Sequence, residues 1–279
     1  MVFMCRRETK GNVISMAIFR YEIRQLRNST FWWSLALALF IVLILPSYIS
    51  MLAGGAVSMG ALEGNPMFDM LGVDVNVIST PIGCYGFINA FLAIAGGING
   101  MFLGLKSFTR ETVQKTADYL YTKPYKRGTI FLSKLFSSFI SVSIIGICYF
   151  LGSIAGGFSA VPGGFDMKTL TLLACSFFMI QLYFVFFGAF VGAVYSKIRT
   201  PLLLSSGVVF MLYVLSAFAS KVDSTFFKFV TPFSYFGASK IINSGGYNAA
   251  FMLTYIILCI VFAVIGYVTF IKKDIKFIS

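Results

Sequence analysis

The side chains able to do chemistry in this chain are few, and most of them crowd into one place. From Arg110 to Leu135 the sequence reads "RETVQKTADYLYTKPYKRGTIFLSKL", a run of charges, tyrosines and a proline inside a chain that is 58% hydrophobic and 11% charged. Such residues suit recognition better than bond making. The chain has no histidine, which removes HExxH proteases, imidazole acid–base chemistry and most zinc sites. It has neither a GxxxxGK[ST] phosphate loop nor a GxGxxG turn placed after a strand. The chain is therefore expected to be no enzyme and to hold no cofactor or metal. Cys5, Cys84, Cys148, Cys175 and Cys259 are scattered without a CxxC pair and read as small apolar residues.

The elements that position the polar run are membrane spans. Mean hydropathy is +0.87, far above the range of soluble domains. Charge-free runs cover 28–62, 75–105, 135–165, 169–196, 200–220 and 241–271. A helix needs about 20 apolar residues to cross a ~30 Å hydrocarbon core, so each run holds one crossing. The expected fold class is an all-α polytopic membrane protein, a single domain over 1–279. Its spans are placed near 31–53, 81–105, 133–158, 169–195, 200–220 and 249–271. Coupled carriers and voltage sensors keep ionisable groups at mid-membrane depth. Here intramembrane polarity is limited to residues such as Asn89, Asn99 and Gln181, so any driving energy is expected to come from another subunit.

Cations set the orientation. The N-terminal segment, the 106–134 loop, Lys197, Arg199 and the C-terminal lysines carry 18 of the 22 basic residues on one side. Only Lys168, Lys221, Lys228 and Lys240 fall on the other. The positive-inside rule makes both termini cytoplasmic, in the cell membrane. The net charge of +12 is then a topology signal with some attraction to anionic lipid, and nucleic acid is not an expected partner.

Before the first span, residues 12–30 predict an amphipathic helix in the headgroup plane, with Met16, Phe19, Ile23 and Leu26 on one face and Arg20, Arg24 and Arg27 beside it. Trp32 and Trp33 mark the interface where the chain is expected to turn into the bilayer. In span 2, Gly96, Gly100 and Gly104 recur every four residues and form a groove for another helix backbone, with Gly188 and Gly192 a weaker echo in span 4. Residues 221–248 contain an apolar piece too short to cross, broken by Pro232, and predict a re-entrant outer segment.

Within the polar run, Thr109 reads as a helix N-cap with Glu111 in the first turn. Val113, Thr116 and Leu120 form an apolar stripe flanked by Tyr119 and Tyr121, and Pro124 closes the helix. The spacing predicts a short helix across the cytoplasmic mouth, with anchors in its middle and cations at its rim, suited to a groove on a partner.

At these residues the chain resembles the type-2 ABC transporter permeases, also called type V exporters. The resemblance lies in Glu111, a helix ending in Leu120-Tyr121, then Pro124, Arg127 and Lys134, with "TPFSYF" (231–236) before the last span. Where the family commonly has Gly-Thr, this chain has Lys115-Thr116. The resemblance implies an exporter permease subunit that pairs with a second copy or paralogue and docks on an ATPase subunit holding ATP and Mg. Coupling segment 107–127 would provide that contact through Arg110, Glu111, Lys115, Tyr119, Leu120, Tyr121, Lys123, Pro124 and Arg127. The path between protomers would involve Asn89, Gly96, Asn99, Gly100, Gly104, Phe210 and Tyr213. The implied cargo is amphipathic or hydrophobic: a peptide, lipid or drug. Two other readings stay open from the residues: a stand-alone channel or secondary carrier, and a non-transporting scaffold or sensor that recruits a cytosolic protein.

Overall fold

A backbone surrounded by lipid must satisfy its polar groups within itself. The computed structural model, which describes residues 2–54, 80–114, 127–161, 166–195, 197–222 and 225–272, does so entirely with helices; no strand occurs among those residues. Helix α1 (Val2–Ala53) is followed by α2 (Pro81–Val113), α3 (Arg127–Ala160), α4 (Met167–Val194) and α5 (Pro201–Val222). Three short helices, α6 (Thr225–Val230), α7 (Pro232–Tyr235) and α8 (Ala238–Ser244), then lead to α9 (Ala249–Lys272). Six of these helices, α1 to α5 and α9, are long and apolar enough to cross a membrane.

Helix α1 corrects the expectation of a bend. Its 52 residues run unbroken, about 78 Å at 1.5 Å per residue, which exceeds twice the hydrocarbon thickness. Residues 12–45 contain neither Gly nor Pro, so nothing at Trp32 and Trp33 breaks the ladder, and the amphipathic segment and the first span form one rod. Helix α2 starts where Thr80 accepts a bond from the Gly83 N–H (3.1 Å), with Pro81 at the first helical position. Asp166 caps α4 by accepting from the Lys168 N–H and the Thr169 hydroxyl. The Thr169 bond, opposed by slight desolvation and aided by the Lys168 N–H, holds the Asp166 carboxyl below its ordinary range.

Small residues decide which rods touch. A Cβ at Gly100 or Gly104 would overlap the carbonyl oxygens of Gln181 and Val185, and one at Gly188 would overlap that of Met101. A Cβ at Gly96 would lie 2.6 Å from the Phe177 ring. Helices α2 and α4 therefore meet backbone to backbone, the small-xxx-small contact that substitutes for hydrophobic driving force in lipid. Gly152 and Gly156 of α3 do the same against Ala38 and Ile41 of α1. Tyr85, Tyr149, Phe177 and Phe184 fill the interior between these pairs, while Leu203 and Met211 on α5 and Leu253 and Ile260 on α9 face outward.

The short helices cover one end of the bundle. Pro232 opens α7 after Thr231, the Ser234 and Ser216 hydroxyls lie 2.8 Å apart, and Tyr235 donates to the Phe229 carbonyl. Gly245 stops α8 in the left-handed region (φ 62°), where glycine carries no Cβ penalty.

Candidate functional site

At the opposite, cation-rich end, four charged side chains from three helices meet in a closed ring. Glu22 of α1 accepts from Arg110 Nη2 and from Lys134 Nζ, each at 3.0 Å. Glu111 of α2 accepts from the same Arg110 nitrogen at 3.0 Å and from Lys134 at 2.7 Å. Each carboxylate thus holds both cations, and the group is neutral. Lys134 also donates to the Ser107 carbonyl at 2.6 Å, and the Arg110 guanidinium lies 5.6 Å from the centre of the Tyr21 ring. Lys134 is only 1% exposed and Glu22 2%.

Local sequence explains how these residues arrive there. Ile18, Glu22, Leu26 and Thr30 recur every four residues and form the buried face of α1 against the bundle, while Arg20, Arg24 and Arg27 stay exposed. Helix α2 continues past the apolar run to Val113, which carries Arg110 and Glu111 beyond the charge-free stretch while still packed. Helix α3 begins at Arg127, so Lys134 sits two turns inside it, and Ser138 binds back to the Lys134 carbonyl at 3.1 Å. Ser107 and Ser138 then join α2 to α3 directly, at 3.1 Å.

Burying an ion costs several kcal/mol even after relaxation, and that cost is offset only when every charge finds partners. The ring meets the condition. Its stability is conditional, since removal of one member would strand the others in a dry site.

Beside the ring lies an apolar cluster that brings in the last span. The Phe108 and Phe131 rings are 4.9 Å apart, Phe270 of α9 lies 5.7 Å from both, and Tyr267 lies 5.6 Å from Phe131. Arg127 Nη1 donates to the Ile271 carbonyl at 3.2 Å, placing a cation at the negative end of the α9 dipole.

The sequence-derived docking residues are thereby divided. Lys115, Tyr119, Leu120, Tyr121, Lys123 and Pro124 lie outside the described residues. Arg110 and Glu111 are buried in the ring, and Arg127 reaches α9. Thr109 is corrected: it is no helix start, because α2 passes through it and its hydroxyl bonds the Leu105 carbonyl at 3.0 Å. Glu22 was missed altogether. Its signal was an acid at four-residue spacing between Ile18 and Leu26, hidden by the arginines beside it.

The path residues do not gather on one open face. Gly96, Gly100 and Gly104 are closed by α4 of the same chain. Asn89 is buried, with Oδ1 accepting from the Tyr149 hydroxyl (2.8 Å) and Nδ2 donating to the Leu173 carbonyl (3.2 Å) and Ser176 (3.3 Å). Asn99 is fully buried. Phe210 points outward, and the Tyr213 ring meets Phe233 at 5.5 Å.

A family model described as ABC-2 family transporter protein matches residues 16–275. The chain belongs to that family. No curated protein matches it. As an ABC-2 protein it is the membrane permease subunit of an ABC transporter, and the family implies an ABC ATPase as partner. The matched span takes in Glu22, Arg110, Glu111 and Lys134 as well as the six candidate membrane spans, the first of which starts at Ile18.

Proposed function

We propose that this ABC-2 permease works as an exporter. In this reading it pairs with a second copy or a paralogue in the cell membrane, termini inward, and is gripped at segment 107–127 by its ATPase. The observation that carries the reading is the ion ring, because it fixes both flanks of that segment. Arg110 and Glu111 tie its start to α1 and α3, Lys134 ties its far side to α1 and α2, and Arg127 binds the end of α9. A push on the segment would then move the adjoining ends of α2, α3 and α9 together with the Glu22 stretch of α1, since each flank is tied by a charge or a hydrogen bond.

The excess of cations at the ring end supports a cytoplasmic placement. Cargo of amphipathic or hydrophobic character (peptide, lipid or drug) suits the outward apolar side chains of α5, Phe210 among them. ATP and Mg would be held by the partner subunit.

The test is co-purification. Tyr119→Asp, Leu120→Glu and Tyr121→Asp should each leave membrane insertion intact and lose the ATPase subunit that accompanies the native chain. An ATPase that still co-purifies with all three variants, with hydrolysis still coupled to export, would overturn the docking assignment.

A further inference from the structure

We infer that Asn99 of α2 and Gln181 of α4 bind internal water in the middle of the membrane-spanning bundle. Both residues are completely buried, and none of their four amide atoms has a hydrogen-bond partner among the described residues. Gln181 is near the centre of α4, about 20 Å from either end at 1.5 Å per residue. It lies against α2 at Gly100, where an added Cβ would come within 3.3 Å of its Cγ, one position along from Asn99. Gly100, which lets the helices touch, thus lies against Gln181 and next in sequence to Asn99, two carboxamides whose polar atoms have no partner among the described residues.

Asn89 shows that this is no general tolerance of the bundle. Ten residues earlier on the same helix, the same side chain is served by Tyr149, Ser176 and the Leu173 carbonyl. A buried amide without partners carries the full desolvation cost, while a buried water commonly makes about three hydrogen bonds to such groups. The ligand must be neutral, since residues 81–105 and 169–194 contain no Asp, Glu, Lys or Arg to balance a charge. It must also donate and accept, because each carboxamide offers both functions. A hydroxyl or amide of a cargo molecule has that chemistry too. Water has it without cargo, and is the occupant assigned here.

Radiolytic labelling in H2¹⁸O tests the assignment, because hydroxyl radicals form from bound water and oxidise the nearest side chains. The reporter is Phe177, one turn from Gln181 and packed on Gly96; the control is Phe131, equally buried among aromatic rings at the ring end. The full chain is irradiated in lipid nanodiscs without cargo. The expected result is ¹⁸O on Phe177 and not on Phe131, with loss of the Phe177 label in Asn99→Leu/Gln181→Leu. Native Phe177 labelled no more than Phe131, a comparison that needs no variant, would overturn the proposal. So would a label that the double substitution leaves unchanged, or one that appears only when cargo is added.

Discussion

The bundle is tied together at two depths by opposite chemistry. At the cation-rich end, Glu22, Arg110, Glu111 and Lys134 join α1, α2 and α3 through full charges. Toward the other end, Asn89, Tyr149 and Ser176, with Tyr85 donating to Ser153 at 3.1 Å, join α2, α3 and α4 through neutral groups alone. The two devices share helices, burial and bond lengths. They differ in what happens when one partner is taken away: a stranded ion is far costlier than a stranded amide. The ring behaves as an all-or-nothing joint, whereas the amide network loosens one bond at a time. A joint of the first kind suits the place where force would enter, and one of the second suits helices that must adjust along their length.

The sharpest way to break this comparison is Lys134→Met. It removes a cation that touches both carboxylates and leaves Arg110 alone with two negative charges, in a site where Lys134 is 1% exposed. Thermal unfolding in nanodiscs should show a loss of about 3–5 kcal/mol, the usual consequence of breaking a buried pair. Adding Glu111→Gln should restore part of that loss by returning the ring to neutrality. If Lys134→Met melts like the native chain, the ring is not a joint.

Next in size is Tyr149→Phe, which deletes the donor to Asn89 Oδ1 and leaves the bonds of Nδ2 in place. Interhelical hydrogen bonds in membranes contribute about 0.6–2 kcal/mol, partly because unfolded helices in lipid find other partners. The same melting experiment should therefore show a drop well below that of Lys134→Met. Equal losses would mean that charge is not what separates the two depths.

The amino-acid sequence reveals this arrangement unevenly, and the reasons are physical. Spans were legible because lipid forces long charge-free helices, a local property. The glycine spacing of α2 showed that some backbone comes close, and Gly188 and Gly192 repeated the motif more weakly, but which helices pair is a tertiary choice no periodicity contains. The ring was hidden for two reasons. Glu22 stands among Arg20, Arg24 and Arg27 and looks like one more solvated charge. Lys134 looked like a loop cation because the charge-free run starts only at 135, while the helix itself begins at Arg127. Polar residues extend helices beyond the membrane without a hydropathy signal, and the ring was built in that extension.

The smallest expected effect sharpens the boundary of the joint. Arg127 donates to the Ile271 carbonyl at 3.2 Å, but it is only half-buried, outside the dry site. A cation at a helix C-terminus contributes about 0.3–1 kcal/mol at low ionic strength and is screened by salt. Arg127→Ala should lower stability by that small amount at low salt. The difference from the native chain should fade near 1 M salt, where the screening length shrinks to about 3 Å. Lys134→Met should keep its deficit at every salt concentration, since its partners lie where counterions do not reach. If Arg127→Ala instead costs as much as Lys134→Met and ignores salt, the tie to α9 belongs to the same buried joint. In that case the last span would be joined as tightly as α1, and a pull on the segment between α2 and α3 would reach it through a charge, not through the looser aromatic contact of Phe131 with Phe270.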